Sequence, residues 1–379
     1  MKYRAFGKTG EKVSLLGFGT MRLPVVNGKS DKIDEEEAIR MIRTAIDRGV
    51  NYVDTAYMYH GGHSETVIGK ALKEGYRGKV LLADKLPLWM TKSAEDMDKI
   101  FEKQLERLDV DCIDMYLVHN ITASIWKRAE EYGAMAYLEG LRAKGKIRHI
   151  GFSFHDEYEV FEEVLRAYPW DFCQIQLNYM DTDYQAGLRG LKLAGSLHIP
   201  VIVMEPLKGG KLTDVLPPSV REFWSRAPVK RTPAEWALRW VADFPEVLTI
   251  LSGMTTMEQV EENIRILSEA DPGSLTAEEH EMIRNVAAEY NKLIRYSCTG
   301  CRYCMPCPAK IDIPDVIGRY NDWYVYEGNN KIMNDFYIWV PSDGRPSACK
   351  TCKACEDHCP QHLPVSEIMK KAKEIFETR

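Results

Sequence analysis

Short β-branched runs alternate with longer amphipathic helical patterns from residue 13 to about residue 268. That alternation predicts an α/β chain built on a (β/α)8 TIM barrel, because eight strand–helix units in about 250 residues match its size and count. A second observation concerns the other end of the chain. Eight of the ten cysteines lie in the last 82 residues, in two runs that each end in Cys-Pro. They predict an appended, mainly helical metal-cluster domain, with 1–295 forming the barrel and 296–379 the second domain.

The elements follow in order. Lys2–Val13, with Gly-Lys-Thr-Gly in its middle, reads as a small hairpin ahead of the barrel. Strands are expected at Val13–Gly17, Asn51–Thr55, Val80–Lys85, Ile113–His119, Ile147–Ser153, Phe172–Leu177, Val201–Glu205 and Leu248–Ser252. Helical periodicity marks Glu36–Arg48, Ser64–Glu74, Ala94–Leu108, Glu157–Ala167, Pro233–Asp243 and Met257–Leu267. A doubly wound sheet is the alternative. It would carry a Gly-rich fingerprint after its first strand, and Gly17-Phe18-Gly19-Thr20-Met21-Arg22 lacks the third glycine. The insertion Lys208–Arg231, with Pro217-Pro218 and Phe223-Trp224, reads either as a lid over the active face or as a plain surface excursion. Ser274–Ile294 reads as a ninth helix leading into the cysteine domain.

Composition narrows the function classes. A net charge of −6 argues against a nucleic-acid footprint, which needs a basic patch or stripe. No stretch approaches the roughly 20 apolar residues of a membrane span. The first seven residues lack the apolar core of a signal peptide. The expectation is therefore a cytoplasmic protein with neither nucleic-acid nor membrane partners. In a reducing compartment, spaced cysteines are metal ligands more often than disulfides. Cys112 and Cys173 lie in apolar runs and read as inert core.

The runs are Cys298-x2-Cys301-x2-Cys304-x2-Cys307-Pro308 and Cys349-x2-Cys352-x2-Cys355-x3-Cys359-Pro360. Three thiolates on one tight loop plus a fourth from elsewhere hold a cubane [4Fe–4S] cluster, so two runs imply two clusters. Zinc is the bland alternative. Its ligands come as Cys-x2-Cys pairs with a distant mate rather than as triple runs closed by Cys-Pro. Each run leads through a proline into an amphipathic helix, at Ile313-Pro314-Asp315 and Leu363-Pro364-Val365, a weak internal repeat. The intervening 308–348 segment carries Tyr320, Trp323, Tyr324, Tyr326, Phe336, Tyr337 and Trp339. That apolar surface is expected to dock on the barrel or on a partner.

Barrel enzymes place their chemistry at the C-terminal ends of strands. Asp54, Tyr59, Lys85 and His119 lie there, on the second, third and fourth expected strands or just beyond them. A tyrosine is a poor acid at neutral pH unless a neighbouring cation lowers its pKa. Lys85 is a candidate for that cation, with Asp54 holding it charged and His119 donating to a substrate carbonyl. Singly, each residue has a structural reading: a packing Tyr, a solvated Lys, a core His, a turn Asp. Four together at consecutive strand ends favour catalysis.

The stretch Asn51-Tyr52-Val53-Asp54-Thr55-Ala56-x2-Tyr59, then His63-Ser64-Glu65 and Gly69, resembles the aldo-keto reductase family over roughly residues 1–295. Lys85, Tyr116-Leu117-Val118-His119 and Gly145-Lys146-Ile147-Arg148-x-Ile150-Gly151-x-Ser153 extend the resemblance. It implies a nicotinamide-dependent carbonyl reductase with Asp54, Tyr59, Lys85 and His119 as catalytic tetrad and Tyr59 as general acid. It also implies cofactor contacts at Gly19, Thr20, Met21, Arg22, Asp54, Ser153, Gln174, Met204, Pro206, Leu207, Gly253, Gln259 and Asn263. Phe154 stands where many members have Asn, and Met204 where many stack a Tyr on the nicotinamide. Gly253 and Gln259 stand where some members hold the 2′-phosphate with Lys and Arg. Their neutrality is expected to weaken discrimination for NADP over NAD, although family habit leans toward NADP. Arg22 and Lys208 are the candidates to replace the missing cations.

The tail resembles the ferredoxin-like extension of a subgroup of that family. In two-cluster ferredoxins the fourth cysteine of each run ligates the other cluster. The resemblance therefore implies Cys298, Cys301, Cys304 and Cys359 on one cluster, and Cys349, Cys352, Cys355 and Cys307 on the other. The first run has two residues before its last cysteine rather than three, which leaves the crossing open. Hydride carries two electrons and a cubane commonly passes one. The competing readings are thus an iron–sulfur electron-transfer protein whose barrel binds nicotinamide or flavin for a redox partner, and a nicotinamide-sensing subunit.

Overall fold

The computed structural model describes residues 1–379 except Lys8, Asp214, Val215, Thr299, Cys301, Pro360 and Arg379. Contacts divide the chain into two compact units: residues 1–212 with 231–280, and residues 213–230 with 281–379. The division falls inside the helix Ala277–Lys292. Most of the expected insertion belongs to the second unit, including a short helix Pro218–Ser225 whose Val220 and Trp224 are buried.

The first unit opens with a two-stranded antiparallel hairpin, β1 (Tyr3–Ala5) and β2 (Lys12–Ser14). Eight parallel strands follow: β3 (Leu16–Gly19), β4 (Tyr52–Asp54), β5 (Leu81–Leu86), β6 (Ile113–Ile121), β7 (Ile147–Phe154), β8 (Phe172–Gln176), β9 (Val201–Met204) and β10 (Val247–Gly253). They close as β10-β3-β4-β5-β6-β7-β8-β9, the expected (β/α)8 barrel. One expected boundary is corrected. Val13–Gly17 joins two elements: Val13 pairs with Arg4 in the hairpin, and the barrel strand starts only at Leu16. The break at Leu15 lets the chain turn from an antiparallel partner to a parallel one, a change that a continuous apolar run does not reveal.

The hairpin supplies core to the barrel. Phe6 and Val13 are buried in one cluster with Tyr52, Leu81, Met115, Phe172 and Leu248. Phe6 meets Phe172 edge-on at 6.1 Å between ring centroids. Burying a Phe side chain contributes about 1.5–3 kcal/mol, so Phe6→Ala is expected to lower Tm with little effect on the chemistry at the far end. Gly151 makes room for this packing: a Cβ there would lie 2.5 Å from the Phe172 ring.

Local signals start the helices as their caps dictate. Asp34 accepts from the Glu37 amide at the start of Glu35–Asp47. Thr256 and Gln259 form a reciprocal capping box on Met257–Glu269. No helix among the described residues is long and apolar enough to cross a membrane.

In the second unit, the helices Ile313–Val325 and Val365–Phe376 follow the two cysteine runs. A third helix, Asn330–Trp339, lies between them in sequence. Its Phe336 stacks on Phe376, with centroids 4.3 Å apart and planes 5° from parallel. Much of the aromatic segment is therefore this unit's own core, with Tyr320, Tyr326 and Phe336 buried. Tyr337 and Trp339 stay exposed.

Candidate active site

Strand register explains why distant residues meet. Asp54 pairs with Ala83, two positions before Lys85, and Lys85 pairs with Leu117, two positions before His119. Side chains alternate with period two. A stagger of two per strand therefore keeps Asp54, Lys85 and His119 on one face, at the C-terminal mouth of β4, β5 and β6. Tyr59 follows β4 in a short turn, where its amide donates to Ala56 O.

The Lys85 ammonium is fully buried and forms three contacts: Asp54 Oδ1 at 2.8 Å, Asp54 Oδ2 at 2.7 Å and Thr55 O at 2.6 Å. Burial pushes both partners toward their neutral forms, lifting the Asp54 carboxyl and opposing the charge on Lys85. The short contacts counter this, and Lys85 ends above its ordinary value. Lys85 Nζ lies 5.1 Å from the Tyr59 ring centroid and is a hydrogen-bond neighbour of its hydroxyl. The sequence leads one to expect a lowered Tyr59 pKa, and the direction is corrected here. Burial raises it and outweighs the downward pull of Lys85. His119 meets Tyr59 edge-on at 6.3 Å, and burial holds its imidazole neutral, well below its usual pKa. Its Nδ1 has no hydrogen-bond partner among the described residues.

Two expected cofactor residues form a floor beside this group. Ser153 and Gln174 are register partners on β7 and β8, and both are buried. Ser153 Oγ accepts from the Asn120 amide at 2.8 Å. Gln174 Nε2 donates to Met204 Sδ at 3.4 Å, while its Oε1 has no donor. A buried amide oxygen without a donor is costly, and the carboxamide N–H of a nicotinamide would satisfy it. Phe154 points the other way, packing on Phe161 at 5.1 Å in the layer between sheet and helices.

The remaining candidates sort by position. Gly19 and Gly253 are register partners at the ends of β3 and β10. The Thr20 hydroxyl is buried, donating to Asp54 O at 2.8 Å and accepting from Ser64. Asn263 donates to Ser252 Oγ at 3.0 Å, so it braces the β10 end. Met21 is exposed, Pro206 buried and Leu207 half-buried. Arg22 faces Glu205 at 3.6 Å, and Lys208 pairs with Asp181. Gln259 turns its Oε1 to the Thr255 amide at 2.7 Å. Trp89 and His155 escaped the sequence reading. Trp89 lies 4.9 Å from His119, and burial lowers His155 to about 4. Trp89 sits in a single 3-10 turn, Leu88–Met90, and His155 just past the end of β7, segments too short for periodicity to mark.

In the second unit, Cys307 lines one pocket with Cys349, Cys352 and Cys355. Cys359 lines another with Cys298 and Cys304. The expected fourth member of that set, Cys301, lies outside the described residues. Ile313 and Val365, the first residues of the two following helices, line both pockets. Among the described residues, no three Cys, His, Asp or Glu side chains close on a single-ion site.

The backbone repeats too. Gly300 and Arg302 take positive φ of 72° and 60°, and Thr351 and Lys353 take 50° and 61° at the matching positions. Lys310 and His362, each three residues past a Cys-Pro cysteine, have φ of 60° and 51°. Non-glycine residues rarely adopt this conformation. It turns successive amides to one side, forming concavities that suit anions. Ala309 N donates to Cys307 Sγ at 3.4 Å.

Residues 15–288 match the aldo/keto reductase family, well over half of the chain. The chain belongs to that family. Residues 297–363 match a 4Fe-4S dicluster domain. L-galactose dehydrogenase of Arabidopsis thaliana is 30% identical over 294 residues, spanning 72% of this chain and 89% of that protein. The NADH-specific methylglyoxal reductase of Escherichia coli (strain K12) is 28% identical over 318 residues, 71% of this chain and 94% of that one. Among solved structures, the holo form of an aldo-keto reductase from Bacillus halodurans superposes with TM-score 0.63 at 28% identity, covering 76% of this chain and 96% of its own. A Klebsiella pneumoniae aldo/keto reductase in complex with NADP and acetate gives 0.59 at 25% identity, with the same coverage. This member of the aldo/keto reductase family thus joins an oxidoreductase barrel to a 4Fe-4S domain.

Proposed function

We propose that the barrel reduces an aldehyde or ketone to an alcohol with NADH or NADPH, and that the C-terminal domain carries two [4Fe–4S] clusters. The observation that carries the reading is the buried Lys85 ammonium, held by both Asp54 oxygens beside the Tyr59 hydroxyl and the neutral His119. The nicotinamide, when bound, supplies hydride to the carbonyl carbon. Gln174 Oε1 and Ser153 Oγ would bind its carboxamide, and Met204 would cover a ring face. His119 directs a ring nitrogen to the carbonyl oxygen and orients the substrate. Tyr59 transfers its hydroxyl proton to that oxygen as negative charge develops there. Lys85 stabilises the resulting phenolate, and Asp54 keeps Lys85 charged and in place.

Gln259 caps its own helix, while Arg22 and Lys208 each have a carboxylate partner. The affinities for NADP and NAD are expected to lie within about tenfold of each other, because Gly253 and Gln259 offer the 2′-phosphate no charge. Gln259→Arg should tighten NADP about 10- to 100-fold through charge-assisted hydrogen bonds and leave NAD unchanged. Titration of intrinsic fluorescence checks both. Selectivity above a hundredfold in the unaltered protein would sink this account.

A second reading, electron transfer through the clusters, rests on the exposure of Cys352 and its neighbours 350–354. In it the 4Fe-4S domain passes electrons to a redox partner protein. It is tested by mixing NADH or NADPH with the anaerobic protein without carbonyl substrate and following the cluster absorbance. Bleaching within a turnover time favours internal electron transfer. Unchanged absorbance with full carbonyl turnover leaves the clusters outside the reaction.

A further inference from the structure

One position before Lys85, the same strand buries another charge. Alternation along β5 points Asp84 away from the barrel interior, into the layer between sheet and helices. Phe101 and Leu105 of the helix Glu95–Leu108 pack in that layer in the usual apolar way. Asp84 and Glu65 are both fully buried. Asp84 Oδ1 accepts the Lys85 amide at 2.7 Å, and Glu65 Oε2 accepts from Arg107 Nη1 at 2.7 Å. Their other oxygens, Asp84 Oδ2 and Glu65 Oε1, have no donor among the described residues, yet the two carboxyl groups are hydrogen-bonding neighbours. Two ionised carboxylates at such a contact repel, and a single shared proton satisfies both orphan oxygens at once. The groups facing the pair are Arg107, Lys85, the Gln104 amide, which is a hydrogen-bonding neighbour of Glu65, and the Tyr116 phenol. Burial, and then Glu65, lift the Asp84 carboxyl well above its ordinary range.

The network reaches the site from behind. Gln104 Nε2 donates to Lys85 O at 2.9 Å, while its Oε1 accepts from Tyr116 at 2.6 Å. Both peptide groups of Lys85 are thereby held. Arg107 Nη1 also donates to Tyr57 O at 3.2 Å, and its guanidinium lies 4.5 Å from the Tyr57 ring centroid. Tyr57 is two residues before Tyr59. Gly62, at φ +92°, leaves room for this clamp, since a Cβ there would lie 3.0 Å from Arg107 Nη1.

We propose that Asp84 is a positioning residue of the reductase site: as a protonated acid it donates to Glu65, and the Asp84–Glu65–Arg107 assembly locks the Lys85 backbone against the loop carrying Tyr59. The positioning role rests on the tetrad reading above. The shared proton does not, and the experiment separates them.

The test uses the full-length, cluster-loaded protein. Infrared spectra with carboxyl-¹³C aspartate should show a protonated-carboxyl C=O band at neutral pH that moves with the label. The band should be missing from Asp84→Asn and Asp84→Leu. Asp84→Asn keeps a neutral donor to Glu65 and an acceptor for the Lys85 amide. It should hold kcat within about threefold of the unaltered protein. Asp84→Leu removes both and should lower kcat about 10²-fold, as small misplacements of reacting groups do, with the KM for NADH unchanged. Absence of the band, or a folded Asp84→Leu protein with unaltered kcat, overturns the proposal. So does a folded Asp84→Asn protein that loses as much as Asp84→Leu would, which decides the matter even if the leucine variant does not fold. Wild-type turnover by Tyr59→Phe would instead overturn the tetrad reading and leave the infrared result standing.

Discussion

Tyr59→Phe should lower kcat/KM for carbonyl reduction by about 10²–10⁴-fold, the usual contribution of a positioned general acid. The phenylalanine keeps the ring that meets His119 edge-on and removes only the hydroxyl beside Lys85. Nicotinamide affinity should therefore stay near that of the unaltered protein, since the carboxamide candidates Ser153 and Gln174 lie on other strands. The pH profile carries a second check. Burial raises the Tyr59 pKa above its ordinary value, so the hydroxyl stays protonated through neutral pH and is lost only as pH rises past that raised value. His119 is neutral because its pKa is depressed, so it gains a proton only well below its usual range. Reduction should thus be flat across neutrality, falling on the alkaline side. Steady-state kinetics with a simple aldehyde measures this. A break near the ordinary histidine pKa, or full activity in the phenylalanine variant, would assign the proton to another group.

Cys359→Ala should remove one cluster and leave the other, halving the iron to about four atoms per chain. Each cluster needs four thiolates, and the placement of Cys359 says which cluster is lost. Cys359 shares its cavity with Cys298 and Cys304 of the first run, whereas Cys307 shares the other with Cys349, Cys352 and Cys355. Double variants distinguish crossed from uncrossed ligation. With crossing, Cys359→Ala combined with Cys298→Ala loses no more iron than either change alone, and combined with Cys355→Ala it loses nearly all. Uncrossed ligation reverses those two results. Iron analysis with spectra of the reduced protein reads the outcome. Ile313 and Val365 line both cavities, so loss of one cluster should also lower the thermal stability of its neighbour's surroundings.

Some of this was legible in order along the chain. The strand–helix alternation announced the barrel, because period 2 and period 3.6 are local properties. Asp54, Lys85 and His119 were legible because each lies in the C-terminal part of a strand and the fold collects strand ends. The cysteine runs were legible because a cluster loop is itself local. Other features were not. Asp84 looks like any polar residue beside Lys85 until the helices bearing Glu65 and Arg107 cover it. Phe154 marks a departure from the family at a cofactor position, yet its side chain belongs to the aromatic packing outside the barrel. Trp89 reaches His119 from a one-turn 3-10 helix after β5.

The sequence by itself determined the elements and the chemistry they bear: eight strands in order, four polar residues at their ends, and two cysteine loops. Those depend on neighbours a few residues apart. Only the tertiary structure decided which way each depends on the others. It made burial outweigh Lys85 at Tyr59, turned Gln259 into its own helix's cap, and placed a buried acid pair behind Lys85. Desolvation and register set these outcomes, and both arise only when segments far apart in the chain close on one another.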